Sequence, residues 1–156
     1  MKKVMFIAST GGHLDELMQL KPLFARYDYH IVTERDPSTE SLKDVYGDRF
    51  SFLCPGTRKN MLTYPFKLFA NSVKSFGLFV KYRPAFVVTT GTHTAVPMCY
   101  IAKLFRAGVI FIETFANRDS KTLAGRMVYP IADMFIVQWE EMLALYPKAV
   151  CGGSIY

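Results

Sequence analysis

The residues best suited to chemistry come early in the chain. Ser9-Thr10-Gly11-Gly12-His13 follows the apolar run Val4 to Ala8 and leads at once into a helical pattern, Leu14 to Arg26. A strand-to-helix turn tight enough to admit a ligand needs residues without Cβ, and Gly11 and Gly12 supply them. The helix they open would aim unpaired N–H groups and the positive end of its dipole at whatever lies over the loop, with His13 at the mouth as a proton carrier. A strand, a glycine pair and a helix also describe the first turn of α/β domains that hold no ligand, in which His13 simply caps the helix. The full G-x-G-x-x-G fingerprint is absent. Asp15 and Glu16 occupy the first helical turn, where they satisfy the dipole and repel an anion, which argues against a nicotinamide cofactor.

Two further loops carry candidate groups. Thr89-Thr90-Gly91-Thr92-His93-Thr94 is rich in hydroxyls, and Gly91 lets the backbone approach a sugar or phosphate; His93 reads equally as a solvated loop residue. Glu113 stands directly after the apolar run Val109 to Ile112, so its carboxylate is expected to be partly desolvated, which raises its pKa toward the range of a general base. The competing reading has Glu113 accepting backbone N–H bonds or pairing with Arg118. Asn117 and Arg118 complete that loop.

The elements that must position these loops read as an α/β fold. Strand-like runs at Lys3 to Ala8, Tyr29 to Thr33, Phe50 to Leu53, Phe86 to Thr90, Val109 to Glu113 and Met134 to Gln138 alternate with helical patterns, one of them from about Ala95 to Phe105. That alternation predicts a mostly parallel sheet with helices on both faces. In such a sheet ligands sit outside the carboxyl ends of the strands, where all three loops converge.

The chain has 156 residues and 51% hydrophobic residues, enough for one domain with an ordinary core. Cys54, Cys99 and Cys151 are odd in number and far apart, so they read as reduced cytosolic thiols rather than a disulfide framework or a zinc site. No acidic pair with suitable spacing calls for a metal. The apolar run after Lys3 is too short for a signal peptide, and no stretch reaches the ~18 apolar residues of a spanning helix.

The net charge of +6 is local: six basic residues and no acid lie between Arg58 and Arg83, while the remaining chain holds 13 basic against 13 acidic residues. This segment, about 58–83, predicts a helix from near Pro65 to about Lys81. Lys67, Lys74 and Lys81 fall in line with Asn71, while Phe69, Val73, Phe76, Phe79 and Val80 face the other way. All of its charges are positive, Arg58 and Lys59 included, and Met61, Leu62, Tyr64, Phe66, Leu68 and Leu78 add more apolar area than one buried stripe requires. The pattern fits contact with an anionic membrane surface. A helix packed on the sheet is the plainer reading. Nucleic acid is disfavoured, because the rest of the surface is charge-balanced and no recognised motif appears.

The chain resembles the PssD/CpsF group of capsular and exopolysaccharide biosynthesis proteins, relatives of the eukaryotic Alg-fourteen subunit, over essentially its whole length. The residues that carry the resemblance are Ser9 to His13, Phe111-Ile112-Glu113-Thr114-Phe115-Ala116, and Leu123-Ala124-Gly125-Arg126 leading through Tyr129 to Asp133 and on to Phe135-Ile136-Val137-Gln138-Trp139. More distantly, the order of its loops is similar to the acceptor half of the peptidoglycan glycosyltransferase MurG, although Glu113 and Asn117 are spaced one residue wider than in that enzyme.

The resemblance implies a single Rossmann-like domain, the N-terminal half of a GT-B fold, acting as the acceptor-binding subunit of an inverting glycosyltransferase and inactive alone. A PssE-like partner would bind most of the UDP-sugar donor, with no other cofactor. The acceptor would be a polyprenyl-diphosphate-linked saccharide at the cytoplasmic face of the plasma membrane, to which the chain attaches peripherally. Glu113 or His13 would be the base, the other positioning the acceptor, with Ser9, Thr10, Gly11, Gly12, Gly91, Thr92, His93, Asn117 and Arg118 binding substrate. Two other readings stay open: a non-catalytic activator or membrane anchor, and an unrelated nucleotide-binding α/β protein.

Overall fold

The computed structural model describes residues 1–55 and 64–156. Seven strands form one sheet: β1 (Lys3–Ala8), β2 (Asp28–Glu34), β3 (Phe50–Leu53), β4 (Phe86–Gly91), β5 (Gly108–Ile112), β6 (Met134–Val137) and β7 (Val150–Cys151). Their spatial order is β3-β2-β1-β4-β5-β6-β7, and every pairing is parallel. The helices are α1 (Gly12–Gln19), α2 (Lys21–Phe24), α3 (Glu40–Tyr46), α4 (Tyr64–Tyr82), α5 (Val96–Leu104) and α6 (Leu123–Val128).

Alternation along β1 divides the interior in two, as a period-2 backbone requires. Met5 and Ile7 point into a core shared with Phe79 of α4, Met98 and Cys99 of α5, and Val128 of α6. Val4, Phe6 and Ala8 point the other way, against Leu14 and Leu17 of α1, Phe24 of α2, and Leu42 and Tyr46 of α3. The six expected strands are present. β7 escapes a sequence reading because two residues carry no periodicity. The expected helix from Leu14 to Arg26 is two, with Leu20 between them, and a 3₁₀ turn over His93–Ala95 precedes α5.

On the α1 side, the apolar side chains of β4, β5 and β6, including Phe86, Val88, Ile110, Ile112, Met134 and Ile136, line an open trough of about 350 Å³. Parallel sheets are normally covered on both faces. The opposite face of the same strands has its cover in α5 and α6.

One buried base gives the fold an acid-sensitive seam. His30 of β2 stacks on Tyr82 at the end of α4, ring centroids 3.7 Å apart, and its Nε2 lies 2.9 Å from Ser51 Oγ. Burial first, and then the nearby Lys81 and Lys43 charges, lower its pKa from 6.5 to about 4. The unfolded chain therefore takes up this proton near pH 6.5 and the folded chain only near pH 4, so stability present above that window is lost as pH falls through it. The full loss is about 3 kcal/mol at the acid end. Urea midpoints followed from pH 7.5 to 4 are expected to fall in the native protein and to fall less in His30→Gln, whose side chain does not titrate.

Candidate functional site

The carboxyl ends of β1, β4 and β5 open onto a cavity of about 360 Å³ whose walls include His13, Gly91, Thr92, His93, Glu113 and Thr122. Local backbone bonds build the first wall. Ser9 donates its N–H to Gly91 O (3.1 Å), and Gly11, at φ 75°, accepts the N–H groups of Leu14 and Asp15 at the start of α1. Positive φ explains glycine at position 11. Ser9, Thr10, Gly11 and Gly12 form the turn behind the cavity, while His13 reaches it.

His13 is locked to β4 by reciprocal bonds. Its Nδ1 lies 2.8 Å from Thr90 O, and Thr90 returns its hydroxyl to His13 O at 2.5 Å. A carbonyl oxygen only accepts, so in the neutral ring Nδ1 carries the hydrogen and Nε2 keeps a lone pair for a proton from substrate. Gly91 makes room for this ring: at φ 104°, a Cβ there would stand 3.2 Å from His13 Nδ1. Thr92 Oγ1 lies 2.8 Å from His93 Nδ1 on the same rim.

Glu113 is 2% exposed, and protein donors surround its carboxylate. Oε1 accepts the Thr114 N–H (3.1 Å), Oε2 accepts the Tyr146 hydroxyl (2.8 Å), and Thr122 Oγ1 lies 2.9 and 3.0 Å from the two oxygens. The Thr122 oxygen also accepts Gly125 N–H, capping α6. Burial and the Glu113 charge raise the Tyr146 pKa, so that phenol stays a donor. The Glu113 carbonyl accepts from Gln138 Nε2 (3.0 Å), and Gln138 Oε1 accepts Ile155 N–H (2.9 Å). Glu113 thus stands as a fixed polar wall.

The rest of the β5–α6 loop turns elsewhere. Arg118 pairs with Glu141 at 2.5 Å and lies over the Trp139 ring, 4.9 Å from its centroid, so it does not pair with Glu113. Asn117 Nδ2 donates to Ser120 O (3.3 Å). Neither residue lines the cavity, whereas Thr122, which does, escaped the sequence reading. A threonine three residues before Gly125 at the head of a short helix was its available signal. Tyr146 gave none, since a distant partner defines it, and Gln138 stood only in the block that carries the resemblance. Glu16 departs from its expected role at the α1 dipole: it is buried and accepts from Thr114 and Phe115.

The basic helix has its own surface. Phe66 and Phe69 are 77% and 71% exposed, and Val73, Phe76 and Val80 continue an outward apolar strip that Leu104 and Phe105 of α5 extend. The Phe76 and Phe105 rings lie 6.0 Å apart. Lys74 and Lys81 are exposed and Lys67 is half-buried. The inner face is Asn71, Ser75 and Phe79. This corrects two assignments: Phe79, 5% exposed, belongs to the core, and Asn71 leaves the lysine line to bond the backbone of Cys54, accepting its N–H (2.7 Å) and donating to its carbonyl (2.9 Å). That pair of bonds sets the rotation of α4 and keeps the phenylalanines outside. Arg58 and Lys59 lie outside the described residues. Among the described residues no helix is long and apolar enough to cross a membrane, and no three His, Cys, Asp or Glu side chains form a metal site.

A family model described as "Oligosaccharide biosynthesis protein Alg14 like" matches residues 4–155. The chain belongs to this Alg14-like family. A curated member from Yarrowia lipolytica, "UDP-N-acetylglucosamine transferase subunit ALG14", is 29% identical over 94% of this chain; the chain spans 65% of that protein's length. Among solved structures, Acinetobacter baumannii MurG superposes with a TM-score of 0.73 at 17% identity, covering 90% of this chain and 43% of that one. UDP-N-acetylglucosamine 2-epimerase from Rickettsia bellii gives 0.73 at 17%, covering 99% and 45%. The Alg14-like chain therefore has the fold of about half of those larger enzymes. Since a transferase and an epimerase share it, fold alone does not select the reaction.

Proposed function

We propose that this Alg14-like chain is the acceptor-binding half of a two-subunit inverting glycosyltransferase that adds a sugar from a UDP-sugar to a polyprenyl-diphosphate-linked saccharide. The observation that carries this reading is the His13 tautomer, fixed by Thr90 O, which leaves Nε2 as a proton acceptor in a cavity faced by Glu113. The names of the curated relatives support UDP-N-acetylglucosamine as the donor. Capsule or exopolysaccharide assembly by a PssD/CpsF-like system, with a PssE-like partner holding most of the nucleotide, follows from the sequence resemblance. The open trough over β4–β6 supports a second chain, because Phe86, Ile110, Met134 and Ile136 are only partly covered there among the described residues.

In this reading the acceptor hydroxyl sits between His13 and Glu113. His13 Nε2 takes its proton as the oxygen attacks the anomeric carbon, the bond from that carbon to the UDP oxygen breaks, and UDP leaves as the anion. Attack opposite the leaving group inverts the anomeric centre. The Gly11-Gly12 turn and the first N–H groups of α1 favour the acceptor diphosphate. The outward phenylalanines of α4 with Lys74 and Lys81 hold the chain against anionic headgroups at the cytoplasmic face of the plasma membrane.

Transfer from UDP-N-acetylglucosamine to a polyprenyl-diphosphate-linked saccharide is measured with this chain, its partner, and both together. Activity is expected only in the pair. Full activity from the partner alone reduces this chain to an activator or anchor, and activity from this chain alone overturns the two-subunit reading. The membrane contact has its own measurement: Phe66→Glu with Phe69→Glu is expected to lower binding to vesicles of 30% anionic lipid by about 10-fold or more, with subunit pairing unchanged.

A further inference from the structure

Thr114 stands between two buried carboxylates. It donates its backbone N–H to Glu113 Oε1 (3.1 Å) and its hydroxyl to Glu16 Oε1 (2.7 Å), and the same Glu16 oxygen accepts Phe115 N–H (3.0 Å). Glu16 is 3% exposed, and its Oε2 is buried with no hydrogen-bond partner among the described residues. A link serving packing alone needs one acceptor, and burying a second, unpaired carboxylate oxygen carries a desolvation cost that such a link does not require. Glu16 also lies three residues after His13 on α1, so one helical turn carries both His13 and the grip on the residues that follow Glu113.

We infer that Glu16 is a positioning residue for transfer, acting through Thr114 and Phe115 to fix the separation of His13 and Glu113 across the cavity. The inference rests on the proposed glycosyltransferase reading. Without Glu16 the chain from Thr114 onward is free to shift from α1, the Thr114 N–H leaves Glu113 Oε1, and the wall opposite His13 loses its register. Small misplacements of this kind act on the chemical step rather than on binding, and a displacement near 1 Å costs roughly 100-fold.

The test uses the reconstituted pair, with kcat, acceptor KM, subunit affinity and Tm read on each variant. Glu16→Ala is expected to lower kcat by about 10- to 100-fold, with KM and subunit affinity within about 2-fold of native. Glu16→Gln keeps an oxygen for Thr114 and Phe115 and is expected to restore kcat to within about 3-fold. Thr114→Val, which keeps the backbone and loses the hydroxyl, is expected to lower kcat by about 10-fold, and adding it to Glu16→Ala produces little further loss because the two act as one unit. Should Glu16→Ala unfold the chain, Thr114→Val carries the decision alone. The inference is overturned where kcat is unchanged in both variants, or where its loss is matched by equal changes in KM and subunit affinity, as a general structural defect produces. His13→Ala separates the two levels. If it too leaves transfer intact, the reading of this chain as the half that supplies the base through His13 fails; if it abolishes transfer while Glu16→Ala and Thr114→Val do not, only the positioning role fails.

Discussion

Replacing His13 by asparagine is expected to lower kcat of the reconstituted pair by about 10³-fold, within the range spanned by positioned general bases. Asparagine is the informative choice because its amide N–H can take over the bond that His13 Nδ1 makes to Thr90 O, 2.8 Å away. The helix start and the Thr90 hydroxyl bond to the position 13 carbonyl then stay in place. Only the second ring nitrogen is lost. Acceptor KM is expected to change by less than about 3-fold, since a group that moves a proton in the transition state contributes little to ground-state binding. Initial rates against acceptor concentration decide it. A kcat within 10-fold of native removes His13 from the chemistry and shifts the burden to Glu113 or to the partner subunit.

Gly125→Ala is expected to be the most damaging single methyl in the chain. A Cβ at that position would lie 2.2 Å from Glu113 Oε2, 2.5 Å from Tyr146 Oη and 2.8 Å from Thr122 Oγ1, all inside contact distance. The three groups are tied to one another, so none can retreat alone. Overpacking of this kind costs roughly 2–3 kcal/mol, read as a fall in Tm of about 6–10 °C. Activity is expected to fall further than stability, because the shift is transmitted to the cavity wall. Thermal melts of Gly125→Ala in native and Glu113→Ala backgrounds provide the check. The alanine costs less where the carboxylate is already gone, and equal costs in both backgrounds show that the glutamate is not what the helix presses against.

The sheet was legible because its strands are continuous apolar runs, and the three loops at its carboxyl end were legible because glycine, hydroxyl and charged residues follow those runs directly. His13, Gly91, Thr92, His93 and Glu113 do share one cavity. The partners of Glu113 were not legible. Tyr146 lies 33 residues away and reads as an ordinary core aromatic. Glu16 read as an acid satisfying the α1 dipole, since nothing local shows that the β5–α6 loop folds over it. The α4 wheel separated lysines from phenylalanines correctly, but which side faces the sheet depends on Asn71 finding Cys54, a contact between elements that no periodicity encodes. The place of Arg118 was hidden for a similar reason: Glu141 and Trp139 hold it from another part of the chain.

The placement of β1 inside the sheet, between β2 and β4, governs how the chain is made. One edge of Lys3–Ala8 is satisfied by Asp28–Glu34, the next strand to be made, but its other edge waits for Phe86–Gly91. At ~5–20 residues per second the roughly 50 residues between Glu34 and Phe86 take about 3–10 s to emerge. Through that interval the nascent protein carries an apolar strand paired on one side only, an open template for another chain. Thereafter β5, β6 and β7 add one at a time in the order in which they are translated, each onto the strand made just before it. Growth from that point runs in one direction, and a pause in translation before β4 is more hazardous to yield than a pause of the same length after it.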